Sequence, residues 1–255
     1  MCGIVGYTGK QSVAKQILDA LELLEYRGYD SAGMAIVDET NGQVQIRKRA
    51  GRVADLEKVW KANPVNGICG IGHTRWATHG GVSDVNAHPH RAGRVTLVHN
   101  GIIENYEELK DHFGLADELI SDTDSEVVAA VLNRFYTGDP HEALFQTVKC
   151  LKGTFALVVI FDDIPDVIFA IRNVSPIVAA YREDGTMLAS DVAALGGQAT
   201  SYMVVPEYHV VELHTDDIRV YNMKNELCKA EFLDIDWDTT RAGKGNYPFY
   251  MEKEI

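Results

Sequence analysis

A series of short apolar segments, separated by turn residues, fills the second half of the chain and restricts the possible folds more than any other feature. Each segment has the length of a strand, and polar turn sequences such as Glu183-Asp184-Gly185 lie between them. The predicted strands cover residues 155–161, 167–172, 177–181, 187–189, 203–213 and 218–220. Apolar strands must be buried, and stacked sheets covered by helices would bury all of them. The pattern therefore predicts a layered α+β sandwich.

The first half of the chain supplies helices for the outer layers, together with further strands. Residues 11–25 place apolar side chains at helical spacing, which predicts an amphipathic helix packed on a core. Helices are also predicted at residues 53–61, 104–113, 127–136 and 141–151, and strands at 34–37, 44–49, 95–98 and from residue 68. The interior of the sequence contains no Ser/Pro-rich or low-complexity linker, so one large domain is expected.

Composition argues against several classes of function. The net charge of −13 over 255 residues disfavours a nucleic-acid binder, because neutralising phosphates requires clusters of Lys and Arg that the sequence lacks. No apolar run approaches the roughly 20 residues that span a bilayer, and the N-terminus lacks the basic and apolar regions of a secretory signal. We therefore expect a cytoplasmic protein without membrane contact, whose four cysteines are reduced thiols.

Cys2 directly follows the initiator methionine and is a candidate nucleophile. If Met1 is removed, Cys2 carries both a thiol and a free α-amine. Such an amine titrates at about pH 8 and can take the thiol proton directly or through a water. The β-prone Ile4 and Val5 would hold this residue at the end of a buried strand. The alternative is that Cys2 is simply a small apolar residue at the start of a strand.

A thiol that cleaves an amide also requires donors for the developing oxyanion and groups that hold the charged ends of the substrate. The side-chain amide of Asn100 and a backbone N–H near Gly101 are the candidate donors. For a free amino acid, Arg75 can bind the α-carboxylate through two parallel hydrogen bonds. Either Asp124 or Asp122 can accept from the α-ammonium. The sequence thus offers a candidate for each group that such a site requires.

Each of these residues also has an ordinary structural explanation. Arg75 could form a surface ion pair, Asn100-Gly101 could form a turn, and Asp124 could cap a helix. Trp76 could belong to the core, and Tyr29-Asp30-Ser31 could form a tight turn. The residues taken one at a time do not decide between these alternatives.

Five of the nine histidines, at positions 73, 79, 88, 90 and 99, fall in one region and raise the question of a metal site. Their spacing matches no helical pair and no His-Glu-x-x-His signature. Pro89 makes His88 and His90 extended neighbours whose side chains are expected to diverge.

The sequence near the N-terminus does not match a phosphate-binding P-loop either, because Ile4 and Gln11 stand where Gly and Ser or Thr are required. We therefore expect neither a metal nor an organic cofactor.

Six motifs along the chain resemble one family. They are residues 2–6 (CGIVG), 26–33 (YRGYDSAG), 73–80 (HTRWATHG), 86–90 (NAHPH), 99–105 (HNGIIEN) and 122–126 (DTDSE). In order and spacing they are similar to the glutaminase domain of the glucosamine-6-phosphate synthase family, also called glutamine:fructose-6-phosphate aminotransferases (isomerizing). These enzymes are class II glutamine amidotransferases with an N-terminal nucleophile hydrolase fold. The resemblance covers essentially the whole chain.

The resemblance implies a fold and the residues that carry the chemistry. The implied fold is a four-layer αββα sandwich of two antiparallel sheets, in agreement with the β-rich second half. Cys2 would be the nucleophile with its own amine as the base. Asn100 and Gly101 would form the oxyanion hole.

The resemblance also implies which residues bind glutamine. Arg75 would hold the α-carboxylate of the substrate, and Asp124 would hold its α-ammonium group. Thr78 and His79 would line the loop that closes over glutamine. Trp76 would be the member of that loop that faces the ammonia exit.

The implied activity is hydrolysis of L-glutamine to L-glutamate and ammonia through a thioester on Cys2. In the family, the ammonia is used to convert fructose 6-phosphate to glucosamine 6-phosphate. We expect residues 1–240 to form the glutaminase domain and residues 241–255 to begin a linker to a phosphosugar isomerase domain absent from these 255 residues. The full-length enzyme is expected to be a homo-oligomer.

Two groups of alternatives stay open at this point. One is another enzyme with an N-terminal nucleophile, either the glutaminase domain of a different class II amidotransferase or an amide hydrolase such as an acylase. The other is a non-catalytic module that retains Met1, in which a peptide nitrogen replaces the free amine and removes the base.

Overall fold

Two antiparallel β-sheets lie face to face in the computed structural model, which describes residues 2–235. In chain order the strands are β1 (Gly3–Gly9), β2 (Ser31–Val37), β3 (Val44–Ala50), β4 (Cys69–Arg75), β5 (His90–Ala92), β6 (Val95–Ile103), β7 (Gly153–Phe161), β8 (Ile164–Asn173), β9 (Val178–Arg182), β10 (Gly185–Ala189), β11 (Ser201–Val204), β12 (Val210–His214), β13 (Asp217–Tyr221), β14 (Leu227–Cys228) and β15 (Leu233–Asp234). Within the described residues, the first sheet has the order β15-β11-β9-β10-β1-β4-β2-β3 and the second has the order β14-β13-β12-β8-β7-β6-β5.

Helices cover the outer faces of both sheets. They are α1 (Val13–Leu24), α2 (Val53–Ala62), α3 (Tyr106–Phe113), α4 (Asp124–Phe135) and α5 (Pro140–Cys150). One apolar cluster joins α1 and α2 to the first sheet, a second joins α3, α4 and α5 to the second sheet, and a third lies between the sheets. These three interfaces define four layers, so the predicted αββα sandwich is confirmed.

Strand β1 occupies the centre of the first sheet and is buried along its whole length. Alternate side chains face opposite layers, so Val5 and Tyr7 contact the helical layer while Ile4 contacts the second sheet. On the neighbouring strand β4, a Cβ added to Gly72 would lie 2.3 Å from Cγ2 of Ile17 on α1. Glycine at this position therefore lets α1 pack closely against the centre of the sheet.

Strand β6 runs further than its apolar pattern indicates. The predicted strand ended at residue 98, but β6 continues through Asn100 and Gly101 to Ile103 and pairs throughout with β7. Asn100-Gly101 is therefore not a hairpin turn. Gly101 has a φ of 132°, and a Cβ there would lie 2.0 Å from the backbone oxygen of Thr154 on β7. Only glycine fits this position in the ladder.

Several predicted element boundaries were wrong. The predicted strand at 203–213 is two strands, β11 in the first sheet and β12 in the second. Pro206 lies between them and cannot donate to a ladder, which explains the interruption. The strand predicted from residue 68 is β4, and it includes both His73 and Arg75. Helix α4 begins three residues earlier than predicted, at Asp124 instead of position 127.

Two further expectations concern the end of the chain and its relation to membranes. The proposed domain boundary at residue 240 and the linker at 241–255 lie outside the described residues. Over residues 2–235, no helix is both long and apolar enough to cross a membrane.

A charged network joins α5 to the second sheet. His141 Nε2 lies 2.8 Å from Glu212 Oε1, and the other carboxylate oxygen of Glu212 lies 3.0 Å from His214 Nε2. Burial opposes a charge on His141, but hydrogen bonds to Glu212 and Asn225 raise its pKa above the usual 6.5. Burial likewise opposes the Glu212 carboxylate, but the two histidines lower its pKa below 4.5. The folded state therefore favours the charged form of both residues.

Replacing Glu212 with glutamine should make thermal stability depend less on pH. The raised His141 pKa contributes stability that is fully present below about pH 6.5 and is lost as pH rises through the folded-state value. We expect Glu212→Gln to lower Tm by about 2–4 °C at about pH 5.5 and by less at about pH 9. Glu57→Gln, which removes an exposed ion pair with Lys61 on α2, is the control. An equal loss in Tm at both pH values would contradict the assignment.

Candidate active site

Cys2 is fixed by contacts from three separate parts of the fold. Its carbonyl oxygen accepts hydrogen bonds from Arg27 Nε and from Asn100 Nδ2, each at 3.1 Å. Its Sγ accepts from the backbone N–H of Trp76 at 3.2 Å. Since Cys2 directly precedes the buried strand β1, the thiol is held in a defined position beside the cavities described next.

Burial controls the ionisation of the Cys2 thiol. Loss of solvent raises its pKa above the usual 9.0, and the hydrogen bond from Trp76 opposes this only in part. The thiol is therefore protonated near neutral pH and needs a base to become a nucleophile. Met1 lies outside the described residues.

Two cavities meet at Cys2. The larger has a volume of about 360 Å³ and is lined by Asn100 and Arg27. The smaller has a volume of about 20 Å³ and is lined by Arg75, His79 and Asp124. Four residues line both cavities: Cys2, Trp76, Thr78 and Gly101. The structure therefore brings all eight predicted site residues together around one sulfur atom.

Arg75 organises the loop at residues 76–81, which we call the 76–81 loop. Its guanidinium donates to the carbonyl oxygens of His79, Gly80 and Gly81, with the Gly81 contact at 3.1 Å. At the start of the loop, the Ala77 N–H donates to Asp30 Oδ2 at 2.9 Å. The side chain predicted to bind a carboxylate thus holds the loop that covers the small cavity.

Asp124 is positioned by the N-terminus of α4. Thr123 caps the helix by accepting from the Glu126 N–H at 3.2 Å, which places Asp124 in the first turn. Asp124 is buried, and its Oδ2 accepts from the Ile103 N–H at 2.9 Å. The alternative residue, Asp122, is exposed and does not line the small cavity. Of the two candidates, Asp124 alone borders the same cavity as Arg75.

The buried histidines pack against one another. The rings of His73 and His88 are stacked at 4.0 Å, and those of His88 and His90 meet edge to face at 4.7 Å. The expectation that His88 and His90 diverge was wrong, since residues two apart in an extended segment point to the same side. Burial lowers the pKa of His73 to about 3. Among residues 2–235, no three His, Cys, Asp or Glu side chains are arranged to hold a metal ion.

Arg27 was not predicted as a site residue, yet it contacts Cys2 and lines the larger cavity. It belongs to a 3₁₀ turn at Glu25–Arg27, and its guanidinium forms a 3.0 Å ion pair with Asp191. The available signal was its place in the motif at residues 26–33, for which no role of the arginine was predicted from the sequence.

The four layers resemble those of solved amidotransferase structures. A glutamine phosphoribosylpyrophosphate amidotransferase from B. subtilis superposes with a TM-score of 0.74 at 21% identity, covering 89% of this chain and 50% of that one. A glutamine aminotransferase class-II domain protein from Silicibacter pomeroyi superposes with a TM-score of 0.61 at 18% identity, covering 87% and 99%. At such low identity these likenesses show the fold.

Sequence comparison identifies the family. Residues 39–247 match the model of the glutamine amidotransferase domain. The chain is 40% identical to a glutamine–fructose-6-phosphate aminotransferase (isomerizing) from Clostridium acetobutylicum and 43% identical to the one from Streptomyces coelicolor. Each match covers the whole chain and 42% of the relative, so the chain spans less than half of their length. The chain belongs to the glutamine amidotransferase domain family and corresponds to the glutaminase half of these relatives.

Replacing Arg75 with lysine should loosen the 76–81 loop. A lysine ammonium lacks the planar fork that bonds several carbonyl oxygens together. We expect hydrogen exchange of the loop amides to accelerate by about tenfold or more, as measured by mass spectrometry. Arg47→Lys is the matched control, since Arg47 bonds the carbonyls of Asn63 and Ile46 away from the site. Unchanged exchange in the loop would show that Arg75 does not hold it.

Proposed function

We propose that this domain hydrolyses L-glutamine to L-glutamate and ammonia through a γ-glutamyl thioester on Cys2. The observation that carries the proposal is the position of the Cys2 thiol between two sets of groups. On one side lie opposite charges, Arg75 and Asp124, in a small cavity. On the other side, Asn100 and Gly101 line a larger one. This arrangement suits a zwitterionic amino acid whose side-chain amide lies at the sulfur.

The small cavity supports binding of the amino-acid end of glutamine. Arg75 binds the α-carboxylate through two hydrogen bonds, and Asp124 accepts from the α-ammonium. Thr78 and His79 line the same space. Its volume of about 20 Å³ has room for about one water molecule and not for an α-carboxylate and an α-ammonium group together. Glutamine binding therefore moves the 76–81 loop, and Arg75 exchanges loop carbonyls for the substrate carboxylate.

The chemistry begins with removal of the thiol proton by the α-amine of Cys2, which requires that Met1 is cleaved. The thiolate attacks the carboxamide carbon, and the negative charge moves to the carboxamide oxygen. Asn100 Nδ2–H and the Gly101 N–H donate to that oxyanion. The tetrahedral intermediate collapses when the nitrogen receives the proton and leaves as ammonia. Water then adds to the thioester, releases glutamate and returns a proton to sulfur.

The larger cavity supports a separate path for ammonia. Trp76 and Thr78 line both cavities, so they form part of the partition between them. We propose that Trp76 faces the route by which ammonia leaves. In the complete protein the ammonia would reach fructose 6-phosphate and yield glucosamine 6-phosphate, as the names of the relatives suggest.

The length of the relatives supports a further part of the proposal. Since the chain matches 42% of them, we propose that residues 1–240 are the glutaminase domain and that 241–255 begin the linker to a phosphosugar isomerase domain. We also propose that the full-length enzyme is a cytoplasmic homo-oligomer. No cofactor is required by the chemistry described above.

Replacing Cys2 with alanine should abolish glutamine hydrolysis, because no other group can form the thioester. Glutamate and ammonia release are measured with the purified protein, and intact mass spectrometry reports whether Met1 is absent. We expect at least a roughly 10⁴-fold loss of kcat for Cys2→Ala. Cys228→Ala, which removes another free thiol, should retain activity. Turnover by Cys2→Ala, or by a protein that retains Met1, would exclude this mechanism.

Replacing Asp124 with asparagine should weaken glutamine binding. The amide oxygen still accepts from the Ile103 N–H, but the charge that attracts the α-ammonium is lost. We expect KM for glutamine to rise by about 10-fold to 100-fold, consistent with the loss of one charge-assisted hydrogen bond. Asp122→Asn tests the alternative residue two positions earlier. If Asp122→Asn raises KM and Asp124→Asn does not, the assignment must be exchanged.

A further inference from the structure

We propose that His73 is a positioning residue that fixes the orientation of the Asn100 side chain, and so aims the Asn100 amide N–H groups at the reacting centre. This inference rests on the proposed function, because Asn100 matters only if an oxyanion forms near Cys2. His73 does not line either cavity at Cys2. It acts through Asn100 and has no contact with substrate.

The surroundings of His73 determine which ring nitrogen carries the hydrogen. His73 Nε2 lies 3.0 Å from Asn100 Oδ1 and 3.1 Å from the carbonyl oxygen of His99. The His99 carbonyl can only accept a hydrogen bond, so Nε2 must be the donor. The opposite ring nitrogen, Nδ1, is buried and has no hydrogen-bond partner within the described part of the chain. The neutral Nε2–H tautomer is therefore the form that fits the site.

This tautomer fixes the Asn100 amide in one of its two orientations. With Nε2–H facing Asn100, the oxygen Oδ1 must point towards His73 and Nδ2 must point away. Nδ2 then donates one hydrogen to the Cys2 carbonyl oxygen at 3.1 Å. Its second hydrogen remains for the larger cavity, which Asn100 lines. In the reversed orientation, the Asn100 NH₂ group would face the Nε2–H donor of His73. The Asn100 oxygen would then face the carbonyl oxygen of Cys2, and neither pair could form a hydrogen bond.

The bond also crosses the interface between the two sheets. His73 lies on β4 in the first sheet, and Asn100 lies on β6 in the second. Asn100 also donates to the carbonyl oxygen of Cys2, which directly precedes β1 of the first sheet. The oxygen and the nitrogen of the Asn100 amide are therefore both bonded to residues of the first sheet or next to it, the sheet that also carries the nucleophile. The His73 ring is fully buried and stacked on His88, so it cannot turn freely. The distance between thiol and donor is thereby set.

Burial keeps this contact constant across the pH range in which the thiol works. The pKa of His73 is lowered to about 3, so the ring stays neutral and never becomes an acid or a base in the reaction. Burial disfavours the charged ring, and a second donor at Nδ1 would face no acceptor among residues 2–235. The role of His73 is thus purely geometric.

The test compares substitutions that keep or remove the ε-nitrogen donor. In His73→Gln the side-chain amide nitrogen can stand near the position of Nε2, whereas His73→Asn is too short and His73→Leu has no donor. We expect kcat for glutamine to fall by about 10-fold to 100-fold in His73→Leu and His73→Asn, with KM changed by less than about threefold. His73→Gln should recover most of kcat. The proposal would be overturned if His73→Gln and His73→Asn had the same Tm and the same low kcat.

A double-mutant cycle separates positioning from general structural damage. If His73 acts through Asn100, adding His73→Leu to Asn100→Ala should change kcat by less than about twofold, since the group that it positions is gone. Losses that multiply in the double mutant would overturn the proposal. So would a His73→Leu single mutant with unchanged kcat. His141→Leu removes another buried histidine, which lies on α5, bonds Glu212 and lines neither cavity at Cys2. It controls for loss of stability, with an expected kcat near that of the parent.

Failure of the proposed function appears differently in the same experiment. If the parent protein, freed of Met1, does not hydrolyse glutamine, the assignment of the reaction is wrong and the role of His73 falls with it. If the parent is active and Asn100→Ala loses about 10²-fold to 10³-fold in kcat, the function stands. The His73 comparisons then decide the positioning role alone.

Discussion

The structure depends on the burial of β1 between its two neighbours. Strands β4 and β10 bond to both edges of β1, and its residues from Gly3 to Gly9 are buried. The first residues of a domain normally fray. Here β1 could leave only by breaking two ladders and by exposing Tyr7 on one face and Ile4 on the other. Cys2 is joined directly to this strand, so the sheet holds the thiol in a fixed position.

The site divides into a fixed part and an adjustable part. Cys2 and Asn100 lie on or beside strands, and hydrogen bonds from one sheet to the other hold them together. Arg75 also starts on a strand, but its guanidinium binds the 76–81 loop. The reacting atoms are therefore held by the sandwich, while access to the small cavity is governed by a loop. A fixed oxyanion site needs no reorganisation during the reaction.

Apolar periodicity predicted the layers, because the helices and most strands bury a continuous face whose spacing is visible locally. Apolar periodicity did not predict the boundaries of elements that are set by pairing or by proline instead of by a buried apolar face. Strand β6 continues through the polar Asn100, and β11 and β12 enter different sheets on either side of Pro206. The motifs supplied the residue types of the site. The contact of Arg27 with Cys2 and that of His73 with Asn100 join residues about 25 positions apart, and no local pattern encodes them.

The backbone N–H of Trp76 gives the sulfur its only hydrogen bond from a donor among the described contacts, and Trp76 is also the first residue of the 76–81 loop. Loop displacement and sulfur ionisation are therefore linked through one amide. Displacing the loop would act on the thiol in two opposite ways. Withdrawing the Trp76 amide removes a hydrogen bond that lowers the pKa of Cys2, whereas admitting water weakens the burial that raises it. Because oxidants attack the thiolate, the position of this one loop also bears on how readily the sulfur is oxidised.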